Sequence, residues 1–250
     1  MRTPFMCANW KLHKDVDEAV EMAKKFKELV ADVDDVEAGI CAPAVDLYPL
    51  NEVLADTDIK LGSENMYHKE SGAYTGELSP QMIKSVGCEY AIIGHSERRE
   101  IFGEDDALLN LKLKAAFEND IKPILCIGEK LEEREADEHF ARVKFQLEAD
   151  LSGIEAEDAK DMVLAYEPLW AIGTGESATP EQAEEMVKYI RDTVAEMYDQ
   201  DTADAIRIQY GGSVKPWNVE EIMEQPNIDG ALVGSASLEA ESFSKIVKFK

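Results

Sequence analysis

Basic residues are scarce in this chain. Lys and Arg number 26 against 52 Asp and Glu, a formal net charge of −26 over 250 residues. That balance excludes a broad polyanion-binding surface, because nucleic acid and anionic membranes are repelled unless a local basic patch exists. No such patch is visible; the basic residues are scattered among acidic ones. Long apolar runs are also missing, and none approaches the roughly 18 residues that a membrane span needs. The opening MRTPFMCANWK has neither an apolar h-region nor a cleavage site, so no signal peptide is expected. Cysteine is confined to positions 7, 41, 88 and 126, with no CxxC pair and no ligand-spaced histidine. That spacing argues against a zinc site and predicts free thiols in a reducing cytoplasm. No Pro/Gly/Ser-rich linker or shift in composition divides the chain, which predicts one domain over residues 1–250.

What is present is a folded α/β pattern. The chain is 45% hydrophobic, too apolar for a solvated acidic tail. Eight short apolar runs are candidate strands: Thr3–Asn9, Glu37–Ala42, Ile59–Glu64, Tyr90–Gly94, Lys122–Ile127, Met162–Tyr166, Ala205–Tyr210 and Gly230–Val233. Runs such as Ile124-Leu125-Cys126-Ile127 do not alternate, which is how parallel strands buried on both faces read. Between them lie stretches of helical period. Val16, Ala19, Val20, Ala23, Phe26 and Val30 recur at three or four, opposite Asp17, Glu21, Lys24, Lys25 and Glu28. Thr179-Pro180-Glu181-Gln182 supplies an N-cap, a proline at the first helical position and a capping-box Gln; Ser79-Pro80 makes a similar start. Eight strand–helix repeats predict a closed (β/α)8 barrel, with an open doubly wound sheet as the alternative.

In a barrel of this kind the active site lies at the C-terminal ends of the strands. The residues that follow each run are therefore the candidates. Asn9, Trp10 and Lys11 follow the first, His95, Ser96 and Glu97 the fourth, Glu167 and Pro168 the sixth. Gly211, Gly212 and Ser213 follow the seventh, Gly234 and Ser235 the eighth. Two adjacent glycine-serine turns suit a phosphate, since glycine lets the backbone N–H groups approach an anion; tight turns alone also use glycine. Lys11 is a surface lysine, a cation for an anionic substrate, or a Schiff-base amine. His95 is a satisfied structural histidine, or a neutral imidazole at the start of a helical turn that hydrogen-bonds to a substrate oxygen. Glu167 is either a structural strand-end glutamate or a base aimed by the proline after it. His139 lies in a charged helical stretch and is expected to be solvated; His13 and His68 fall in loops. Pro168–Pro180 reads as a mobile lid with an apolar inner face. Its Gly173-x-Gly175-x-x-Ala178 matches a dinucleotide fingerprint loosely. The helix cap at Thr179 lies beyond the glycines, so they do not open a helix as that fingerprint requires.

Seven ordered segments then carry a resemblance: NWK at Asn9–Lys11, SGAYTGELSP at Ser71–Pro80, GHSERR at Gly94–Arg99, CIGE at Cys126–Glu129, AYEPLWAIGTG at Ala165–Gly175, YGGSVKP at Tyr210–Pro216 and ALVGSASL at Ala231–Leu238. In these the sequence closely resembles the triosephosphate isomerase family, whose carboxylate base, neutral histidine and closing loop are a worked example among pKa-tuned enzymes. The resemblance implies a single-domain TIM barrel. It implies a glycolytic and gluconeogenic isomerase interconverting dihydroxyacetone phosphate and D-glyceraldehyde 3-phosphate, with no metal or organic cofactor. By the same resemblance Glu167 is the base and His95 the neutral electrophile. Lys11, beside Asn9, offsets substrate charge. Glu97 bonds near Lys11, and Ser96 holds the base in the open state. Gly173, Ser213, Gly234 and Ser235 bind phosphate. Thr75 lies in a loop that inserts into a partner subunit, which implies a cytoplasmic homodimer.

The chain departs from the family pattern in places. Cys7-Ala8 precedes NWK where two glycines are usual, and His13 stands where Asn is usual. Glu176 occupies a lid position usually held by Lys, and Ser235 replaces a phosphate-site glycine. Two other classes compete with the isomerase: a barrel lyase using Lys11 as a Schiff base, and a non-enzymatic binding barrel. The intact set Asn9, Lys11, His95 and Glu167 argues against the second.

Overall fold

The computed structural model describes residues 2–172 and 177–250. Eight parallel strands close into a barrel in chain order: β1 Phe5–Asn9, β2 Glu37–Ala42, β3 Lys60–Ser63, β4 Tyr90–Ile93, β5 Lys122–Ile127, β6 Val163–Tyr166, β7 Arg207–Tyr210 and β8 Gly230–Val233. Closure is made by β1 against β8, with Phe5 opposite Gly230 and Ala8 opposite Val233. The expected bounds of β2, β5 and β8 match those observed, and the other five strands are one or two residues shorter.

Both faces of each strand are buried, as the non-alternating runs predicted. Successive residues go to different layers: Phe5 and Cys7 join the barrel interior with Cys41, Tyr90, Ile92, Ile124, Cys126 and Val163, while Met6 and Ala8 pack outward beneath the helices. All four cysteines are buried free thiols. Among the described residues, no helix is long and apolar enough to cross a membrane.

Local chemistry sets the helices. Val16–Leu29 starts at Asp15, whose side chain accepts from Glu18 N–H while the Glu18 carboxylate accepts from Asp15 N–H. Its buried stripe is Ala19, Met22, Ala23 and Phe26; Val16 and Val20 are only half-buried, and Met22 fills the space between. Ser79 caps Pro80–Ser85 and Thr179 caps Pro180–Met197, the second with its reciprocal Gln182 bond.

One expectation is corrected. His139 is buried, not solvated. It opens the helix His139–Asp150 on the stripe that also buries Val143, Gln146, Leu147 and Asp150, and its ring lies 4.2 Å from that of Phe140. The stripe keeps helical period but is partly polar, which disguised it as a surface.

The N-terminal end of the barrel is filled. Arg207 donates to the Tyr90 hydroxyl at 2.8 Å, Tyr90 donates to Glu37 Oε1 at 2.7 Å, and the Arg207 guanidinium lies over the Phe5 ring at 4.8 Å. The opposite end is left for a site.

Candidate active site

The turn that presents His95 is braced before the histidine is reached. Gly94 follows β4 at φ +73°, and a Cβ there would stand 2.9 Å from Leu109 Cδ1 and 3.0 Å from the Arg99 guanidinium. Arg99 donates to the Gly94 carbonyl at 2.7 Å, to Asp106 at 2.5 Å and to buried Asp150 at 2.6 Å. His95 is then the N-cap of the short helix Ser96–Glu100, and its Nδ1 accepts from Glu97 N–H at 3.2 Å. A nitrogen that accepts carries no proton, so the neutral ring bears its proton on Nε2. That Nε2 lies 3.1 Å from Glu167 Oε1.

Glu167 follows β6, and its N–H donates to the Ile127 carbonyl at 2.8 Å. Its carboxylate is almost wholly buried. Ser96 N–H donates to Oε2 at 3.0 Å and Ser96 Oγ donates to Oε1 at 3.2 Å. The neighbouring loop is cut to fit: a Cβ at Gly128 would fall 1.8 Å from the Glu167 carbonyl oxygen.

Asn9 ends β1 and is buried, and its Oδ1 accepts from Lys11 N–H at 3.3 Å. Lys11 adopts φ +56°, a conformation that L-residues disfavour, and its ammonium pairs with Glu97 Oε1 at 2.7 Å. Burial acts to raise the Glu97 carboxyl, but the Lys11 hydrogen bond and charge outweigh it and hold the group below its ordinary range.

Ser213 lies in the loop after β7, and Gly234 and Ser235 in the turn after β8. At Gly212 a Cβ would fall 2.1 Å from the Tyr210 hydroxyl, so close packing alone requires this glycine. Ser235 opens a 3-10 turn and is not among the positive-φ residues, so replacing glycine there strains nothing. Thr75 lies within nine consecutive exposed residues, 69–77, on a loop closed at its base by Tyr67 N–H to the Leu78 carbonyl. Gly173, Gly175 and Glu176 lie outside the described residues. Asn9, Lys11, His95 and Glu97 line one cavity of ≈ 370 Å³. Among the described residues, no three His, Cys, Asp or Glu side chains cluster to hold a metal.

Two carboxylates beside the site had no role from the sequence. Glu129 is fully buried; its Oε1 accepts from Tyr166 Oη and Trp170 Nε1 at 2.9 Å and from Arg134 at 3.2 Å. It anchors the chain just past Glu167, and its place in the CIGE segment was the only hint. Glu64 lines the same cavity as Lys11. Burial lifts its carboxyl from an ordinary 4.5 to about 8; the Lys11 N–H opposes this and the Asp46 and Glu97 charges add to it. Nothing in Ser63-Glu64-Asn65 distinguishes it from a polar loop residue.

The family model described as triosephosphate isomerase matches residues 4–250. Among curated relatives, the triosephosphate isomerase of Finegoldia magna is 51% identical over 250 residues, covering 100% of this chain and 99% of the relative. That of Lactobacillus helveticus is 50% identical over 249 residues, covering 100% and 99%. That of Carboxydothermus hydrogenoformans is 48% identical over 248 residues, covering 99% of each.

Proposed function

The chain belongs to the triosephosphate isomerase family and is an isomerase; from that premise we propose that it interconverts dihydroxyacetone phosphate and D-glyceraldehyde 3-phosphate by proton transfer through Glu167 and His95. The observation that carries this reading is the meeting of the buried Glu167 carboxylate with the Nε2 face of His95 at 3.1 Å, at the open end of the barrel.

The Glu167 carboxylate takes a proton from C1 of the ketone, and the electron pair moves onto the oxygen at C2. His95, its proton placed on Nε2 by the Glu97 amide, donates to that oxygen and exchanges protons between O1 and O2 of the enediol. Glu167 returns its proton to C2, and the aldehyde forms at C1. Ser96 holds Glu167 in the resting position, so the carboxylate leaves Ser96 to reach the carbon. Lys11 offsets the charge of substrate and enediolate from the other side of the mouth, and Asn9 sets the Lys11 backbone. The scheme uses only proton transfer and invokes no metal or organic cofactor.

Backbone N–H groups of Ser213, Gly234 and Ser235, with Gly173 of the lid, bind the phosphate. Closure of that lid excludes water from the enediolate, which otherwise eliminates phosphate. The exposed 69–77 loop carrying Thr75 enters the cavity beside Asn9 and Lys11 of a second copy, giving a homodimer. Exposed Leu12 and Phe102 on the cavity wall favour that occupant. Four free thiols fit a cytoplasmic enzyme.

A Schiff-base lyase needs a desolvated Lys11 amine. Lys11 is instead held in an ion pair with Glu97, which favours the isomerase. The test is a coupled isomerase assay on the wild type and Glu167→Gln. We expect strong activity and a loss of about 10²–10⁴ in kcat for the variant. A purified dimer without isomerase activity overturns the proposal.

A further inference from the structure

Lys215 stands two residues after Ser213 and is half-buried. Its Nζ donates to Ser235 Oγ at 2.9 Å, joining the loop after β7 to the turn after β8. The base of the loop is fixed by Asn218. Lys215 N–H donates to Asn218 Oδ1 at 2.8 Å, and Asn218 Nδ2 donates to the Ser213 carbonyl at 3.0 Å. Ser213 and Lys215 are therefore tied together through the Asn218 side chain.

On the far side of the same turn, a Cβ at Gly234 would stand 3.8 Å from Lys11 Cε. The glycine-serine turn is thus flanked by two lysines, and their surroundings differ. Lys11 is paired with Glu97 at 2.7 Å. Lys215 is held by a neutral hydroxyl, and among the described residues no carboxylate lies within ion-pair distance of it. In a chain of net charge −26, an ammonium at the barrel mouth with no carboxylate partner among the described residues is a local departure from the surrounding field.

We infer that Lys215 is a further substrate-binding residue: its ammonium contacts the phosphate of the phosphorylated triose, and the Ser235 hydroxyl holds it in place when the site is empty. This rests on the phosphate site proposed above. Binding exchanges a hydrogen bond to a neutral hydroxyl for one to an anionic phosphate oxygen, in which both partners are charged. The hydroxyl that replaces the usual glycine hydrogen has a task in this reading: it restricts the ammonium to one position before substrate arrives, which lowers the ordering cost of binding. A lysine that served only to join the two loops would affect stability and leave anion affinity untouched.

The experiment measures the KM for D-glyceraldehyde 3-phosphate and competitive inhibition by glycerol 3-phosphate, across a range of salt. Lys215→Gln is expected to raise KM and the inhibition constant about five- to tenfold, with a much smaller change in kcat. Its inhibition constant should depend less steeply on salt than that of the wild type, because one cation has gone. Lys215→Arg should restore most of the affinity, and Ser235→Gly should weaken it about two- to threefold. In Lys215→Gln, turnover of unphosphorylated D-glyceraldehyde should fall less than turnover of the phosphorylated substrate. An unchanged inhibition constant in Lys215→Gln overturns the assignment, as does an equal loss on unphosphorylated substrate. Failure of glycerol 3-phosphate to inhibit the wild type overturns the phosphate site itself, which separates the two outcomes.

Discussion

Glu64→Gln tests whether the cavity at the barrel mouth stores electrostatic cost. Burial raises the Glu64 carboxyl from 4.5 to about 8, so the folded chain binds this proton more tightly than the unfolded chain does. The sign follows from proton linkage. The folded state is undisturbed by Glu64 below pH 4.5, loses stability as pH rises from there to about 8, and loses no more above it. A change from 4.5 to about 8 corresponds to about 5 kcal/mol when the group is fully ionised. Local relaxation and water reduce that penalty, so we expect about 2–4 kcal/mol to be recovered. Glutamine keeps the shape of the side chain and an oxygen to accept from Lys11 N–H, and removes only the charge. The assay is urea unfolding of both proteins at several pH values between 4.5 and 9, with protein concentration held constant because self-association makes apparent stability depend on it. The variant should match the wild type at the acid end and gain steadily toward pH 8. A constant offset at every pH refutes the argument, and so does a variant less stable than the wild type above pH 8.

Two further outcomes follow from close contacts and caps. Gly128→Ala forces its new Cβ to 1.8 Å from the Glu167 carbonyl oxygen, so Glu167, the proposed base, must shift; kcat should fall about 10²-fold, since a displacement near 1 Å has that effect, and near-normal turnover refutes the positioning role. Thr179→Ala removes the acceptor for Gln182 N–H at the start of Pro180–Met197; a loss of about 1 kcal/mol is expected in chemical unfolding, and no loss means that the cap is replaced by solvent.

The barrel was legible because its strands are buried on both sides. Ile124-Leu125-Cys126-Ile127 has no alternation to confuse with a surface strand, and its bounds matched. The positions of Asn9, Lys11, His95 and Glu167 were legible for a related reason: in this fold the residue after each apolar run stands at the mouth. What stayed hidden was polar burial. His139, Gln146 and Asp150 keep the spacing of a buried stripe, yet their chemistry reads as surface. Gln146 and Asp150 are each offset by a partner distant in sequence, which local sequence does not reveal. Gln146 Oε1 accepts from Gly128 N–H at 2.9 Å, and Asp150 receives Arg99 from 51 residues away. Glu129 and Glu64 were missed on the same ground.

These hidden groups bear on how an acidic protein holds an anion. Two carboxylates line the cavity with Lys11, Glu97 and Glu64, and a third, Glu167, stands beside His95. If all were charged and free, one lysine would not offset them. Glu97 is paired with Lys11, so part of the positive charge which that lysine offers the mouth is already offset. Burial keeps Glu64 mostly protonated below pH 8, so it adds little repulsion in the range where the desolvation that raised its pKa still holds it neutral. Glu167, the base of the proposed proton transfer, is enclosed by Ser96 and His95. In the proposed phosphate site, the attraction comes from backbone N–H groups and from a cation without a carboxylate partner. Among the described residues around the glycine-serine turn, Lys215 meets that condition, because Ser235 holds it without cancelling its charge. On this argument the net charge of −26 acts mainly at long range, where salt screens it over about 10 Å at 0.1 M. The balance inside the mouth is set by which carboxylates are ionised and which lysine is left free.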